Sequence, residues 1–164
     1  MTDMVKIYIA ADHAGFALKG ALIGHLRTLG YTIEDLGAFT ENKDDDYPDF
    51  ITPLAKRVAT TPESRGIIIG GSGQGEAMCA NRVQGVRATV FYGPRSVRGA
   101  RDQEGTPSED EYDVVRLPRE HNDANVLSIG ARFVSLEEAT EAVRIFLATP
   151  FPNASHHARR IAKF

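Results

Sequence analysis

Residues 66–76 read GIIIGGSGQGE, a short apolar run that passes directly into a glycine-rich loop. Three consecutive isoleucines between glycines are typical of a strand that is buried on both faces of a parallel sheet. Glycines after such a strand allow backbone N–H groups to converge on an anion, and Glu76 places a carboxylate where the next helix begins. The stretch therefore predicts a strand, a loop that can bind an anion, and a helix.

Alternating strand and helix patterns lie on both sides of this unit. Strands are predicted over residues 5–10, 31–36, 66–70, 86–92 and 126–129, and helices over 16–29, about 49–59, a short stretch after the loop, 136–147 and the tail 153–164. This alternation favours an α/β fold, a doubly wound sheet of about five parallel strands with helices on both faces and a C-terminal helical tail. We expect a single domain over residues 1–164.

The composition argues against several classes of protein. The 164 residues carry a formal net charge of −3, which gives no electrostatic reason to expect a nucleic acid or an anionic membrane as partner. No apolar run approaches the roughly 20 residues that span a bilayer, and the first residues show no signal-peptide pattern. The single cysteine, Cys79, excludes an internal disulfide and a multi-cysteine metal site. We expect a cytoplasmic protein.

Polar residues follow the predicted strands, where ligands bind in open parallel sheets. Asp12 and His13 come directly after the first strand. Asp12 is either the N-cap of the next helix or a ligand-binding residue, and His13 either faces solvent or donates to an anion. The residues by themselves leave both interpretations open.

The glycine-rich loop departs from three well-known motifs. Glu76 stands where the dinucleotide pattern needs its last glycine, Gln74 stands where the nucleophile elbow needs one, and no lysine makes a P-loop. The remaining features are a nest of amides, the Ser72 hydroxyl and the Glu76 carboxylate. Proton abstraction beside a carbonyl needs this combination of a base and donors to the enediolate oxygen. A plain glycine-rich turn with a capping serine is the alternative.

His121 lies in the stretch REHND at 119–123 and is a candidate acid or base near neutral pH. A solvated loop histidine is the alternative interpretation. A hydrolase triad of Ser72, His121 and Asp123 is disfavoured, because the nucleophile elbow is missing.

The C-terminal tail concentrates basic residues: His156, His157, Arg159 and Arg160. Paired basic side chains suit a phosphate clamp, although basic tails are commonly just solvated. The two histidines are adjacent, without the helical spacing that favours joint metal ligation, so we expect no metal site.

Four stretches in order resemble the ribose-5-phosphate isomerase B family, which also includes galactose-6-phosphate isomerase subunits. They are ADHAGFALK at 11–19, DYPDF at 46–50, GGSGQGEAMCANRVQGVRA at 70–88 and REHNDANVLSIGAR at 119–132. The resemblance covers nearly the whole chain except about 97–116, which we expect to be a surface insertion. It implies a Rossmann-like sheet and cofactor-free aldose–ketose isomerisation of a sugar phosphate through a cis-enediolate. It also implies dimers or tetramers whose active sites are shared between subunits, with the tail 153–164 packing on a partner.

The resemblance further implies roles for individual residues. Glu76 would be the base, because Gly70 stands where many members have a cysteine base and another branch uses a glutamate at the position of Glu76. His121 would promote ring opening, and Ser72 would assist the anion hole of the loop. The substrate-binding residues implied are Asp12, His13, Gly71, Gly73, Gln74, Gly75, Asn122, Arg132, His156 and Arg160.

The identity of the sugar remains open at this level. Ribose 5-phosphate, converted to ribulose 5-phosphate, is the substrate that the resemblance favours. His156 stands where the family has its first tail arginine, and the segment 97–116 would lie near the site. Both departures keep erythrulose 4-phosphate, galactose 6-phosphate and allose 6-phosphate as alternatives. A non-catalytic sugar-phosphate-binding subunit and a plain nucleotide-binding module are the alternatives from other classes.

Overall fold

The computed structural model describes residues 5–102 and 104–164. One parallel sheet has the strand order β2–β1–β3–β5–β4. The strands are β1 (Ile7–Ala11), β2 (Ile33–Asp35), β3 (Arg65–Gly70), β4 (Ala88–Phe91) and β5 (Val126–Gly130). The helices are α1 (Phe16–Thr28), α2 (Pro48–Thr60), α3 (Gln74–Ala80), α4 (Asp113–Asn122), α5 (Leu136–Ala148) and α6 (Ser155–Ile161). The predicted doubly wound α/β fold is confirmed.

Two apolar cores lie on the two faces of the sheet. Successive strand side chains point to opposite faces, so Ile7 and Ile9 of β1 pack with α1, α4 and α5, whereas Tyr8 and Ala10 pack with α2 and α3. The Ile67–Ile69 run of β3 is fully buried and supplies both cores. Each such isoleucine stabilises the fold by roughly 1.5–3 kcal/mol relative to an exposed one.

The strand order creates a crevice at the carboxyl ends of β1 and β3. From β1 the chain passes to β2 on one side, and β3 lies on the other side of β1. At such a switch point the loops after the two strands diverge and leave room for a ligand. Gly15 allows the start of α1 to approach β3 closely, since a Cβ there would collide with the Ile69 carbonyl.

Helix α4 is absent from the sequence prediction. Its sequence, DVVRLPREHN, has four charged residues among ten and an internal proline, Pro118. These residues mask the apolar face that buries Val115. Residues 113–116 were expected to belong to the surface insertion 97–116, but they form the first turn of α4. That expectation was wrong for these residues, because Asp113 and Val115 are buried. Earlier in the segment, Arg101 and Pro107 form an isolated antiparallel bridge.

The C-terminal tail is helical, as predicted. Helix α6 lies against α4 of the same chain and buries His157 there, while His156 and Arg160 are exposed. Among the residues that the structure describes, no helix is both long enough and apolar enough to cross a membrane.

Candidate active site

A cavity of about 350 Å³ lies at the crevice between the ends of β1 and β3. It is lined by Asp12, His13, Ala14, Tyr47, Gly71, Ser72, Gly75, Glu76 and Arg132. Apart from Ala14 and Tyr47, every one of these residues was singled out in the sequence. The carboxyl ends of three neighbouring strands, β1, β3 and β5, bring them together.

Glu76 lies in the first turn of α3 and is only 4% exposed. Burial raises the pKa of its carboxyl group above the ordinary value of 4.5, and the negative charge of Asp12 raises it further. The backbone amides of Glu76 itself and of Gly73 oppose this increase. A carboxylate with a raised pKa is a stronger base, which suits it to remove a proton from carbon.

Gly70, the last residue of β3, leaves the space that the Glu76 side chain fills. A Cβ at position 70 would overlap the Glu76 carboxyl group. Any larger residue at position 70 would therefore compete with the carboxylate for the same volume. This exclusion gives a physical reason for finding a glycine at position 70 together with a glutamate at position 76.

The loop between β3 and α3 is anchored to β5 by a side-chain hydrogen bond. Gly73 has a φ of +75°, which favours glycine, and its carbonyl accepts a 2.6 Å hydrogen bond from the Ser128 hydroxyl. Ser72 Oγ accepts a 3.3 Å hydrogen bond from the Gln74 N–H, although the N-cap residue of α3 is Gly73 and not Ser72. Ser72 also lines the cavity, whereas Gly73 and Gln74 shape the loop from outside it.

Tyr47 lines the cavity, although the sequence did not single it out as a candidate site residue. It directly precedes α2, and a Cβ at Gly75 would lie 2.9 Å from its hydroxyl oxygen. Glycine at position 75 therefore lets the tyrosine lie against the loop. The motif DYPDF at 46–50 was the available signal, but an aromatic residue in such a stretch is more commonly part of a core.

Asp12 is not the N-cap of α1, because Gly15 takes that position. Oδ1 of Asp12 accepts hydrogen bonds from the backbone N–H groups of Ala14 at 2.9 Å and Gly15 at 3.2 Å and so stabilises the turn that precedes the helix. The side chain also lines the cavity beside His13. The His13 ring lies 2.6 Å from Oδ1 of Asp45, a residue in a stretch whose polar composition is typical of a solvated loop.

The cavity is lined by two side chains that can carry positive charge, Arg132 and His13. Arg132 follows β5, and a Cβ at Gly71 would lie 3.2 Å from its guanidinium group, so this cation lies over the start of the glycine-rich loop. The pKa of His13 is raised, chiefly by its hydrogen bond to Asp45 and also by the charge of Asp12. A cavity lined by an arginine and by a histidine that favours its protonated form suits a phosphorylated ligand.

One set of three potential metal ligands occurs among the described residues. Ligand atoms of Asp12, His13 and Asp45 lie within 4.8 Å of one another. The 2.6 Å separation between His13 Nδ1 and Asp45 Oδ1 is a hydrogen-bond distance with a proton between the two atoms. We therefore interpret the set as a hydrogen-bonded pair beside Asp12, whose carboxylate accepts hydrogen bonds from backbone N–H groups.

The remaining predicted residues lie on α4 and α6, outside this cavity. The rings of His121 and His157 stack with centroids 4.5 Å apart, and those of His156 and His157 are 3.9 Å apart. His121 Nε2 is buried and has no hydrogen-bond partner among the described residues. Burial lowers the pKa of His157, and the adjacent histidines lower it further. Asn122 lines a separate cavity of about 400 Å³ next to Phe164.

The family of this chain follows from its match to a protein-family model. A family model described as Ribose/Galactose Isomerase matches residues 7–106 and 109–164. The chain belongs to the ribose/galactose isomerase family. The match continues through most of the segment 97–116, so the departure from the family is smaller than the sequence resemblance suggested.

Individual members of the ribose/galactose isomerase family are similar over nearly their full length. Ribose-5-phosphate isomerase B of Mycobacterium tuberculosis is 39% identical over 157 residues, which are 96% of this chain and 86% of that relative. The enzyme of the same name from Escherichia coli is 33% identical over 95% of this chain and 92% of its own. A crystal structure of ribose-5-phosphate isomerase B from Mycoplasma genitalium with bound ribulose-5-phosphate has a TM-score of 0.82. It is 34% identical and covers 97% of this chain and 93% of its own.

Proposed function

We propose that this member of the ribose/galactose isomerase family interconverts ribose 5-phosphate and ribulose 5-phosphate in the cavity at the ends of β1 and β3. The observation that carries the proposal is the buried Glu76 carboxylate, with its raised pKa, beside the glycine-rich loop. The similarity to ribose-5-phosphate isomerases B supports the choice of substrate. The chemistry is expected to need no organic cofactor.

The proposed reaction begins with the ring form of the aldose phosphate held through its phosphate by Arg132 and His13. After ring opening, the Glu76 carboxylate removes the proton from C2, and the electron pair moves to the C1 carbonyl oxygen. The loop amides and the Ser72 hydroxyl stabilise the resulting cis-enediolate. A proton passes from the C2 hydroxyl to the C1 oxygen, and protonated Glu76 delivers its proton to C1, which leaves a hydroxyl at C1 and the carbonyl at C2. General acid–base catalysis of this kind contributes typically about 10²- to 10⁴-fold to the rate.

We further propose that His121 and Asn122 act in a cavity of a second subunit. Both residues lie outside the cavity that holds Glu76 in their own chain, although ring opening needs an acid or base near the substrate. In a dimer with twofold symmetry, α4 and α6 of one subunit would complete the site of the other, and Arg160 and His156 would approach the phosphate.

A subunit-mixing experiment tests the shared site. Glu76→Gln and His121→Ala should each be nearly inactive alone, whereas mixed and reassociated subunits should regain activity at roughly a quarter of the sites, because each mixed dimer has one intact site. Continued inactivity after demonstrated subunit exchange would place both residues in the same chain's site. Sedimentation analysis distinguishes a dimer from a tetramer.

The substrate is tested with a panel of sugar phosphates. Purified protein should convert ribose 5-phosphate with a higher kcat/KM than allose 6-phosphate, galactose 6-phosphate or erythrulose 4-phosphate. A preference for one of the latter would change the substrate and leave the chemistry intact. The absence of turnover on every member of the panel would favour a sugar-phosphate-binding subunit instead.

We also propose that the chain is a single domain and acts in the cytoplasm.

A further inference from the structure

The loop between β2 and α2 brings Asp45 to His13. Oδ1 of Asp45 accepts a 3.2 Å hydrogen bond from the backbone N–H of His13 and lies 2.6 Å from Nδ1 of its ring. The side chain of Asp45 is 7% exposed, compared with 30% for that of His13. One nearly buried carboxylate oxygen therefore contacts both the backbone and the ring of a residue that lines the cavity.

We propose that Asp45 is a positioning residue, which holds the His13 ring with a proton on both nitrogens so that Nε2–H faces the substrate phosphate. The proposal rests on the proposed function only for the identity of the ligand. The contact between the two side chains is independent of it.

The hydrogen bond determines which ring nitrogen carries a proton. An ionised carboxylate only accepts hydrogen bonds, so Nδ1 of His13 must be protonated to bond Asp45. In a neutral imidazole, Nε2 would then be an unprotonated acceptor that repels a phosphate oxygen. In the imidazolium form, Nε2–H is a charged donor. Binding of a phosphate by this ring therefore requires the protonated form, which Asp45 stabilises.

The surroundings of Asp45 also favour a charged His13. Oδ2 of Asp45 is buried and has no hydrogen-bond partner in the described part of the chain, so the carboxylate depends on His13 for its counter-charge. The charged groups that act on His13 are Asp45 and Asp12, which raise its pKa, and Arg132, which lowers it. Partial desolvation of the ring also lowers this pKa, and the bond to Asp45 outweighs it.

The variant Asp45→Asn tests this role because asparagine keeps the shape and one acceptor oxygen but loses the charge. We expect the KM for ribose 5-phosphate to rise roughly tenfold near pH 8 with little change in kcat, as befits a lost charge-assisted hydrogen bond. Asp44→Asn is the matched control, since Asp44 is the exposed neighbour in the same loop. Its kinetics should equal those of the wild type.

The pH dependence of KM distinguishes a positioning role of Asp45 from a merely structural one. Well below the pKa of His13 the ring is protonated in both Asp45→Asn and the wild type. The ratio of the KM of Asp45→Asn to the KM of the wild type should therefore be smallest at low pH. The ratio should grow as the pH rises, because the variant loses the imidazolium proton at a lower pH than the wild type. Ionisation of the substrate phosphate cancels in this ratio. A ratio that stays constant with pH would overturn the proposal.

NMR titration of the His13 ring nitrogens without substrate provides a readout that does not depend on catalysis. The resonances are assigned with His13→Gln, and the titration midpoint should be lower in Asp45→Asn than in the wild type. Asp45→Glu, which keeps the charge, should have a titration midpoint between those of Asp45→Asn and the wild type. Equal midpoints in the wild type and Asp45→Asn would refute the proposal even in a fully active enzyme. Absence of turnover with shifted midpoints would instead refute the proposed function alone.

Discussion

The substitution Gly70→Ala tests the position of Glu76, the carboxylate that we propose as the base. The new Cβ would overlap the Glu76 carboxyl group, which must then move by roughly 1.5 Å to reach an ordinary contact distance of about 3.5 Å. A misplacement of about 1 Å in a catalytic group can cost roughly 100-fold in rate, or about 2.7 kcal/mol in activation free energy. We expect kcat to fall at least about 100-fold, whereas KM changes little because Arg132 and His13 are untouched.

The stability of Gly70→Ala should change far less than its activity. The displaced group is the end of a flexible side chain beside an open cavity, so the thermal unfolding midpoint should stay close to that of the wild type. Gly24→Ala on α1 is the matched control, since its new Cβ would have no neighbouring atom within 4 Å outside the helix's own backbone. It should raise the unfolding free energy by about 0.5–1 kcal/mol and leave kcat unchanged. Steady-state kinetics of a folded Gly70→Ala protein with kcat within a few-fold of the wild type would refute the placement of Glu76.

Two further predictions concern titration and ring stacking. Because the pKa of Glu76 is raised in the folded protein, its contribution to stability is present below pH 4.5 and is lost as the pH rises through the raised pKa. Chemical denaturation should therefore show Glu76→Gln gaining unfolding free energy relative to the wild type as the pH increases, and a pH-independent difference would contradict this. His157→Ala removes the ring that stacks on His121, so kcat should fall about two- to tenfold. His157→Phe, which keeps the stacking surface, should retain most of the activity in the same assay; equal losses in both variants would argue against stacking.

Local patterns were sufficient to predict the sheet and most of the site at the ends of β1 and β3. The isoleucine run of β3 and the polar residues after each strand carry this information, because a parallel sheet places all strand ends at one edge. Helix α4 was not predicted, because its charged residues and internal Pro118 mask the apolar face that buries Val115.

Asp45 and Tyr47 escaped prediction for a different reason. Asp45 lies in a polar stretch whose composition is that of a solvated loop, and Tyr47 directly precedes α2, so only the folded chain brings Asp45 to His13 and Tyr47 to the cavity. The packing of the Glu76 side chain beside Gly70 likewise depends on the tertiary structure. The sequence identified Glu76 as a candidate base from its place after the glycine-rich loop, and the family resemblance implied the same role, whereas the burial and raised pKa of Glu76 follow from the folded structure.

The most direct test of the central claim is hydrogen exchange at the reacting carbon. In deuterium oxide, the wild-type protein should incorporate solvent deuterium at C1 of ribulose 5-phosphate during turnover of ribose 5-phosphate, as a proton held by Glu76 exchanges with solvent. Glu76→Gln should bind the substrate but lose both turnover and deuterium incorporation by at least about 100-fold. Incorporation by Glu76→Gln at a rate close to that of the wild type would show that another group removes the C2 proton.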